Sequence, residues 1–178
     1  VELNPNRAKA SAVNLNTIAL QRQETDSEWM RSTRVVIGDG RDGEGIMNAV
    51  TASLGETHRP KIAILHLDPA RPRNSRTHGL EEMAPRLDEV FTGWASYLEE
   101  GRNGPSLLLD LSPRLTHQQR LEVEALVDLN WPGILRTWVW TSRGRGRVDR
   151  LALWVGSAAE EGVARRFARV PPKLGVEP

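Results

Sequence analysis

Residues 34–45 carry the sequence RVVIGDGRDGEG, in which a short apolar run leads directly into a glycine-rich turn. The apolar residues at 35–37 predict a buried strand. The apolar spacing from Ile46 to Leu54 predicts a helix that begins within the turn. Because a glycine turn at a helix start lets backbone amides approach an anion closely, this stretch predicts a phosphate-binding loop.

The glycine turn matches two phosphate-binding templates at once. Gly38, Gly40 and Gly43 form the spacing G-x-G-x-x-G, and Gly38 with Gly43 forms the frame of G-x-x-x-x-G-K-[ST]. The second template then loses its chemistry, since Glu44 replaces the phosphate-binding lysine and Gly45 replaces the magnesium-binding hydroxyl. The turn therefore predicts a nucleotide-binding architecture without a defined reaction.

Beyond the turn, strand and helix patterns alternate along the chain. Further strands are predicted at 61–67, 106–111 and 135–141, with a strand or short helix at 151–155. One helix is predicted at 84–100. A second helix is predicted to begin after a capping box formed by Thr116 and Gln119. A third is predicted from a capping box formed by Ser157 and Glu160 to about residue 170. The alternation predicts one three-layer α/β/α domain with a mostly parallel sheet, P-loop/Rossmann-like, over residues 33–172. Residues 1–32 are expected to be a tail or short accessory element, and 173–178 a C-terminal tail.

The composition is ordinary for one globular domain. The chain has 178 residues, 26% charged residues and a formal net charge of +1. It has no cysteine, which excludes disulfides, thiolate nucleophiles and cysteine metal sites. We find no signal peptide pattern and no apolar run long enough to span a membrane, so the expected location is cytoplasmic.

Two aspartates lie at the ends of predicted strands, the same position that the glycine turn has after the strand at 35–37. Asp68 and Asp110 lie at the ends of the strands at 61–67 and 106–111, and His66 precedes Asp68 by two residues. Ligands of parallel α/β sheets bind at the carboxyl ends of strands, so these aspartates are candidate site residues. The histidines share no metal-ligand spacing, and no metal site is predicted.

Three blocks, in order, make the chain resemble ParA/MinD-like P-loop ATPases. They are Gly38–Gly45, Leu67-Asp68-Pro69 and Leu109-Asp110-Leu111-Ser112-Pro113. The resemblance implies an ATP or ADP site in which Asp68 orients the attacking water and Asp110 touches the magnesium shell.

The chain departs from that family at two positions of the glycine turn. Glu44 would repel the phosphates by roughly 1 to 4 kcal/mol at about 4 Å, depending on the local dielectric. Gly45 supplies no magnesium ligand. The resemblance therefore implies a pseudoenzyme, a non-hydrolysing nucleotide-binding-fold protein that acts as a binding or assembly module with a protein partner or as a homo-oligomer.

An NAD- or NADP-dependent oxidoreductase is an alternative. Gly38, Gly40 and Gly43 would then contact the pyrophosphate, and Asp68 would hold a ribose hydroxyl. The 30 residues between Gly38 and Asp68 exceed the usual spacing of about 20. Whether the cofactor is ATP, ADP or NAD, or whether none binds, stays open at this point.

Nucleic-acid binding is a second alternative, based on arginines. Arg143, Arg145, Arg147 and Arg150 form a basic loop spaced by glycines, and a loop of this kind can grip phosphates. The last predicted helix adds Arg165, Arg166 and Arg169 near one face. Tryptophans at 138, 140 and 154 alternate with apolar residues as in core strands.

Overall fold

The structure of the protein is a computed structural model that describes residues 1–22, 33–70, 80–142 and 148–169. The chain divides into two compact units, Val1–Pro60 and Lys61–Pro178. In the described parts of both units, no helix combines the length and the apolar character needed to cross a membrane.

The described residues of the first unit, 1–22 and 33–60, form two helices. Helix α1 spans Pro5–Arg22 and helix α2 spans Gly43–Leu54. Helix α2 ends at Gly55, whose φ of 71° places it in the left-handed conformation that commonly terminates helices. The strand predicted at 35–37 is wrong: in this segment only Ile37 forms a β-bridge, with Glu2. A run of three apolar residues is too short to identify a strand by itself, and Ile37 is 58% exposed.

The second unit is built around a sheet of five strands. Its helices and strands, in chain order, are β1 (Ile64–Leu67), α3 (Leu87–Trp94), β2 (Ser106–Leu111), α4 (His117–Asn130), β3 (Arg136–Ser142), β4 (Val148–Val155) and β5 (Arg165–Arg169). The strand order is β1-β2-β4-β3-β5. The pairs β1–β2 and β3–β5 are parallel, whereas β4 is antiparallel to both β2 and β3.

The expected P-loop/Rossmann-like fold with a mostly parallel sheet is therefore wrong. The physical reason lies in the connection between β3 and β4, which consists only of residues 143–147. A parallel connection needs a crossover of about a dozen residues or more, so a connection this short requires antiparallel neighbours. The sheet is mixed as a result.

The core of the second unit lies on one face of the sheet. Alternate residues of β2 and β4 are fully buried there and pack with both α3 and α4 in one cluster. The buried members from the two central strands are Leu107, Leu109, Leu111, Leu151, Leu153 and Val155. The two α-helices in the described part of this unit thus cover the same face, which gives two layers there instead of the expected three. Strand β2 is buried on one face, while Leu108 and Asp110 on the other are half-buried.

The helix predicted from Ser157 to about residue 170 is also wrong. The chain there forms a single 3-10 turn, Gly156–Ala158, followed by strand β5. The groups expected to cap a helix bind elsewhere: Ser157 Oγ donates to the carbonyl of Gly104 at 3.0 Å. The amide of Glu160 donates to Thr137 Oγ1 at 2.9 Å. The segment is thereby tied to the sheet.

The helix predicted at 84–100 is shorter, since α3 covers Leu87–Trp94 and is followed by the 3-10 turn Ala95–Tyr97. The strand predicted at 61–67 begins only at Ile64. Two other strands and one helix agree with their predictions. Strand β2 has the predicted limits, and β3 lies within one residue of them. Helix α4 begins with the predicted capping box, in which the amide of Gln119 donates to Thr116 Oγ1 at 3.2 Å. In return, the amide of Thr116 donates to Gln119 Oε1 at 2.9 Å. Local sequence signals therefore place the central strand and the helix that covers it.

Candidate functional site

The glycine-rich turn lies in the first unit and precedes α2. Gly38 and Gly40 lie in the turn, and Gly43, Glu44 and Gly45 form the first residues of the helix. None of the five strands of the sheet leads into this turn. The strand-loop-helix arrangement on which the phosphate site depends is thus absent from the described structure.

Asp42 occupies the N terminus of α2 with its own carboxylate. The amide of Gly45 donates to Asp42 Oδ1 at 2.8 Å, which is the usual bond of an N-cap residue. A Cβ atom at position 45 would lie 2.2 Å from Asp42 Oδ2, so a glycine is needed for this close approach. One amide that would hold a phosphate is therefore already bound to an anion of the same chain.

The other charged residues of the turn also have partners nearby. The Arg41 side chain binds the Asp39 carboxylate, with Nη2 to Oδ2 at 2.6 Å. This hydrogen bond lowers the pKa of Asp39 to about 2 from an ordinary value of 3.8. Glu44 Oε1 lies 3.4 Å from Arg59 Nη2, and both side chains are exposed. The turn thus carries carboxylates that are paired with arginines.

Asp68 and Asp110 lie in the second unit. Asp68 is exposed and directly follows β1, and Asp110 is the last but one residue of β2. Asp110 Oδ2 lies 3.2 Å from His66 Nε2 on the parallel neighbour β1. Sequence reasoning singled out both His66 and Asp110 but did not predict that they pair. Among the described residues, no three acidic or histidine side chains converge in a way that would hold a metal ion.

The arginine candidates are divided between described and undescribed residues. Arg143, Arg145 and Arg147 lie outside the described residues. Arg150 is exposed on β4, in register with Thr141 of β3. The remaining arginines are on strand β5 and are exposed, namely Arg165, Arg166 and Arg169.

Strand β5 sorts its residues between the two sheet faces. Because side chains alternate along a strand, Arg165, Phe167 and Arg169 share one face, and Arg166 lies on the other. Arg166 Nη1 forms an ion pair with Glu160 Oε2. Register with Trp138 and Trp140 places Arg165 and Phe167 on the face that carries α3 and α4.

Three aromatic rings form a row across β3 and β5, called here the aromatic row: Trp138, Trp140 and Phe167. The Trp140 and Phe167 rings stack with centroids 5.0 Å apart and planes 18° apart. The ring centroids of Trp138 and Trp140 lie 6.2 Å apart. The Trp138 indole N–H donates to Glu124 Oε1 at 2.6 Å. The row runs from the buried core outward, since Trp138 is buried, Trp140 half-buried and Phe167 74% exposed.

An arginine from α4 reaches the aromatic row. The Arg120 guanidinium carbon lies 5.8 Å from the Trp140 ring centroid, within the range of a cation–π contact. Arg120 Nη1 also donates to the carbonyl of Leu115 at 2.8 Å, which fixes the side chain. Trp140 is thus held by contacts with its neighbours before any ligand arrives.

A groove of about 400 Å³ opens beside the aromatic row. Its wall is mainly apolar, and it also includes two residues with hydroxyl groups and one arginine. Its lining residues are Trp140, Thr141, Ser142, Val148, Phe167, Ala168 and Arg169. The arrangement can offer an aromatic face, hydroxyl donors and a cation to one ligand.

Phe167 is the residue that sequence reasoning missed. A helical interpretation of residues 157–170 treated the segment as a basic surface and left Phe167 without a role. The signal was present in the sequence ARRFAR, where arginine and phenylalanine alternate two residues apart at 165, 167 and 169. A period of two is typical of a strand that presents these three side chains together.

No protein-family model matches the chain. No curated protein and no solved structure matches it either. The resemblance to ParA/MinD-like ATPases therefore stays a prediction.

Proposed function

We propose that this protein binds nucleic acid through a surface formed by β3, β4 and β5 of its second unit. The observation that carries the proposal is strand β5, on which Arg165 and Arg169 flank an exposed Phe167 on one sheet face. Positive side chains neutralise phosphates, and aromatic side chains contact bases. Such a surface supports nucleic-acid binding better than the glycine turn supports nucleotide binding.

The distribution of charge supports the same proposal. Residues 136–169 contain eight arginines but only three acidic residues, whereas the whole chain has a net charge of +1. The rest of the chain is accordingly net acidic. Concentration of positive charge in one segment is a common mark of nucleic-acid binding, even where the net charge is near zero.

Nucleotide binding has less support in the geometry. A nucleotide-binding-fold module related to ParA/MinD-like ATPases, and an NAD-dependent enzyme, both depend on the glycine turn before α2. The amide of Gly45 in the first turn of that helix binds the carboxylate of Asp42, and this negative charge repels a phosphate. Both functions stay predictions, and nucleic-acid binding is the proposal that we develop.

The proposal is tested by the salt dependence of binding. Fluorescence anisotropy with a labelled oligonucleotide of about 20 nucleotides gives the dissociation constant between about 50 and 200 mM salt. Each phosphate contact contributes about 0.7 (single strand) to 0.9 (duplex) to the slope of log affinity against log salt. The double variant Arg165→Gln/Arg169→Gln should reduce the slope by roughly 1.4 to 1.8.

A control variant removes one exposed arginine outside the basic segment. Arg102→Gln alters the loop before β2 and should leave the slope unchanged. Absence of binding at the lowest salt concentration would contradict the proposal. A double variant that behaves like Arg102→Gln would also contradict it.

A further inference from the structure

We infer that this surface selects single-stranded nucleic acid by stacking one base on the outer face of Phe167. The inference rests on the proposed function and specifies its substrate. A base within a duplex is covered by its neighbours on both sides, whereas an unpaired base can present its face to an aromatic ring. Preference for a single strand is therefore the direct consequence of stacking.

The Phe167 ring is held in position before binding. One side of the ring stacks on Trp140 at 5.0 Å, yet 74% of the residue stays exposed. Trp140 is itself contacted by Trp138 and by the Arg120 guanidinium. Because the ring is ordered within the folded protein, a base that stacks on it loses less affinity to side-chain ordering.

The groove beside the ring offers groups that suit a nucleotide. Its volume of about 400 Å³ lies within the range of small-molecule sites, about 300 to 1,000 Å³. Thr141 and Ser142, whose side chains carry hydroxyl groups, are among its lining residues. Arg169 lies at the same groove and can bind the adjoining phosphate.

The flanking cations fit a strand that runs past the ring. Arg165 and Arg169 stand two residues before and two residues after Phe167, on the same sheet face. At about 3.3 Å per residue, each backbone position lies roughly 7 Å from that of the phenylalanine. A single strand can therefore place one base on the ring while its phosphates meet an arginine on either side.

The experiment compares single-stranded and duplex oligonucleotides of the same sequence, as both RNA and DNA, by anisotropy at one salt concentration. Phe167→Ala should weaken single-strand binding by about 5- to 100-fold and leave duplex binding unchanged. Phe167→Trp keeps an aromatic face and should bind within about threefold of the unmodified protein.

The control replaces an equally exposed apolar residue away from the groove. Leu129 on α4 is 78% exposed, and Leu129→Ala should leave every affinity unchanged. Circular dichroism and thermal unfolding establish that all variants fold. Recovery of binding in Phe167→Trp separates loss of the ring from a general loss of structure.

The outcomes separate the inference from the proposed function. Equal binding of single strand and duplex, with no effect of Phe167→Ala, would overturn the inference. If Arg165→Gln/Arg169→Gln still weakened binding, the proposed function would stand. No binding of any oligonucleotide would overturn both. A change in oligomeric mass on Phe167→Ala without a change in affinity would assign the ring to contact between copies of the chain and overturn the inference.

Discussion

Gly45 shows how a glycine motif acquires a structural role that differs from phosphate binding. The missing side chain leaves room for the carboxylate of Asp42, which caps the helix through the amide of Gly45 itself. An N-cap aspartate typically accepts a hydrogen bond from the backbone amide two or three residues later, and Gly45 follows Asp42 by three residues. Sequence reasoning noted that Glu44 and Gly45 depart from the phosphate-binding template, but it did not identify Asp42 as the N-cap of the helix.

The cap predicts a coupled response at positions 42 and 45. Gly45→Ala places a Cβ atom 2.2 Å from Asp42 Oδ2, so the cap must open. We expect a loss of about 0.5 to 2 kcal/mol in the free energy of unfolding, measured by urea denaturation. In the Asp42→Ala background, the same Gly45→Ala change should instead stabilise the helix by up to about 1 kcal/mol, because alanine favours helix more than glycine does.

Asp42→Ala alone is the reference for this cycle and should cost about 0.5 to 2 kcal/mol. The change of sign at position 45 is the decisive result. If Gly45→Ala destabilised both backgrounds equally, the two residues would not interact, and the description of the cap would be wrong.

The elements of the second unit were predictable where local signals act alone. Strand β2 has a run of leucines between a turn and a proline, and α4 has a capping box that closes as expected. The segment after β4 was not predictable in the same way. There, the hydroxyl of Ser157 does not cap a helix but donates to the carbonyl of Gly104, which is distant in sequence. A local signal cannot reveal such a long-range partner.

Helix α4 is attached to β3 by an ion pair that titrates. Arg136 Nη1 lies 2.8 Å from Asp128 Oδ2, and this hydrogen bond holds the pKa of Asp128 below its ordinary value of 3.8. A lowered pKa stabilises the folded protein above the ordinary pKa, and the contribution disappears as the pH falls through the lowered value. Asp128→Asn should therefore cost no more than about 1 kcal/mol near neutral pH.

The difference between Asp128→Asn and the unmodified protein should shrink steadily as the pH falls below about 3.8. Urea denaturation across the acidic range measures it. Glu122→Gln, at an exposed position on the same helix, provides a control with the same charge change. A cost for Asp128→Asn that persists unchanged in acid would show that the ion pair contributes nothing.

The arrangement of the sheet could not be deduced from periodicity. Apolar patterns place the strands but do not specify their directions, so the expectation of parallel neighbours came from the alternation with helices. The direction of β4 relative to β3 follows from the length of the connection at 143–147, because five residues are too few for a parallel crossover. The two-layer arrangement depends on packing between distant residues, which one sequence does not show.

The two layers predict an asymmetry between neighbouring residues of β2. Leu109 is fully buried against the helices, whereas Leu108 on the opposite face is half-buried. Leu109→Ala should reduce the free energy of unfolding by about 2 to 5 kcal/mol, and Leu108→Ala by a clearly smaller amount. Urea denaturation of both variants measures the difference. Equal costs would indicate a sheet that is packed alike on both faces.

Strand β5 has a consequence for the behaviour of the protein in concentrated solution. It pairs only with β3 among the described strands, so its outer edge resembles a template for strand addition from another chain. Arginines at three of its five positions repel a like-charged copy and discourage fibre growth along the edge. The side chains proposed to hold phosphates would thus also keep the protein from aggregating, and a polyanion that neutralises them would remove that protection.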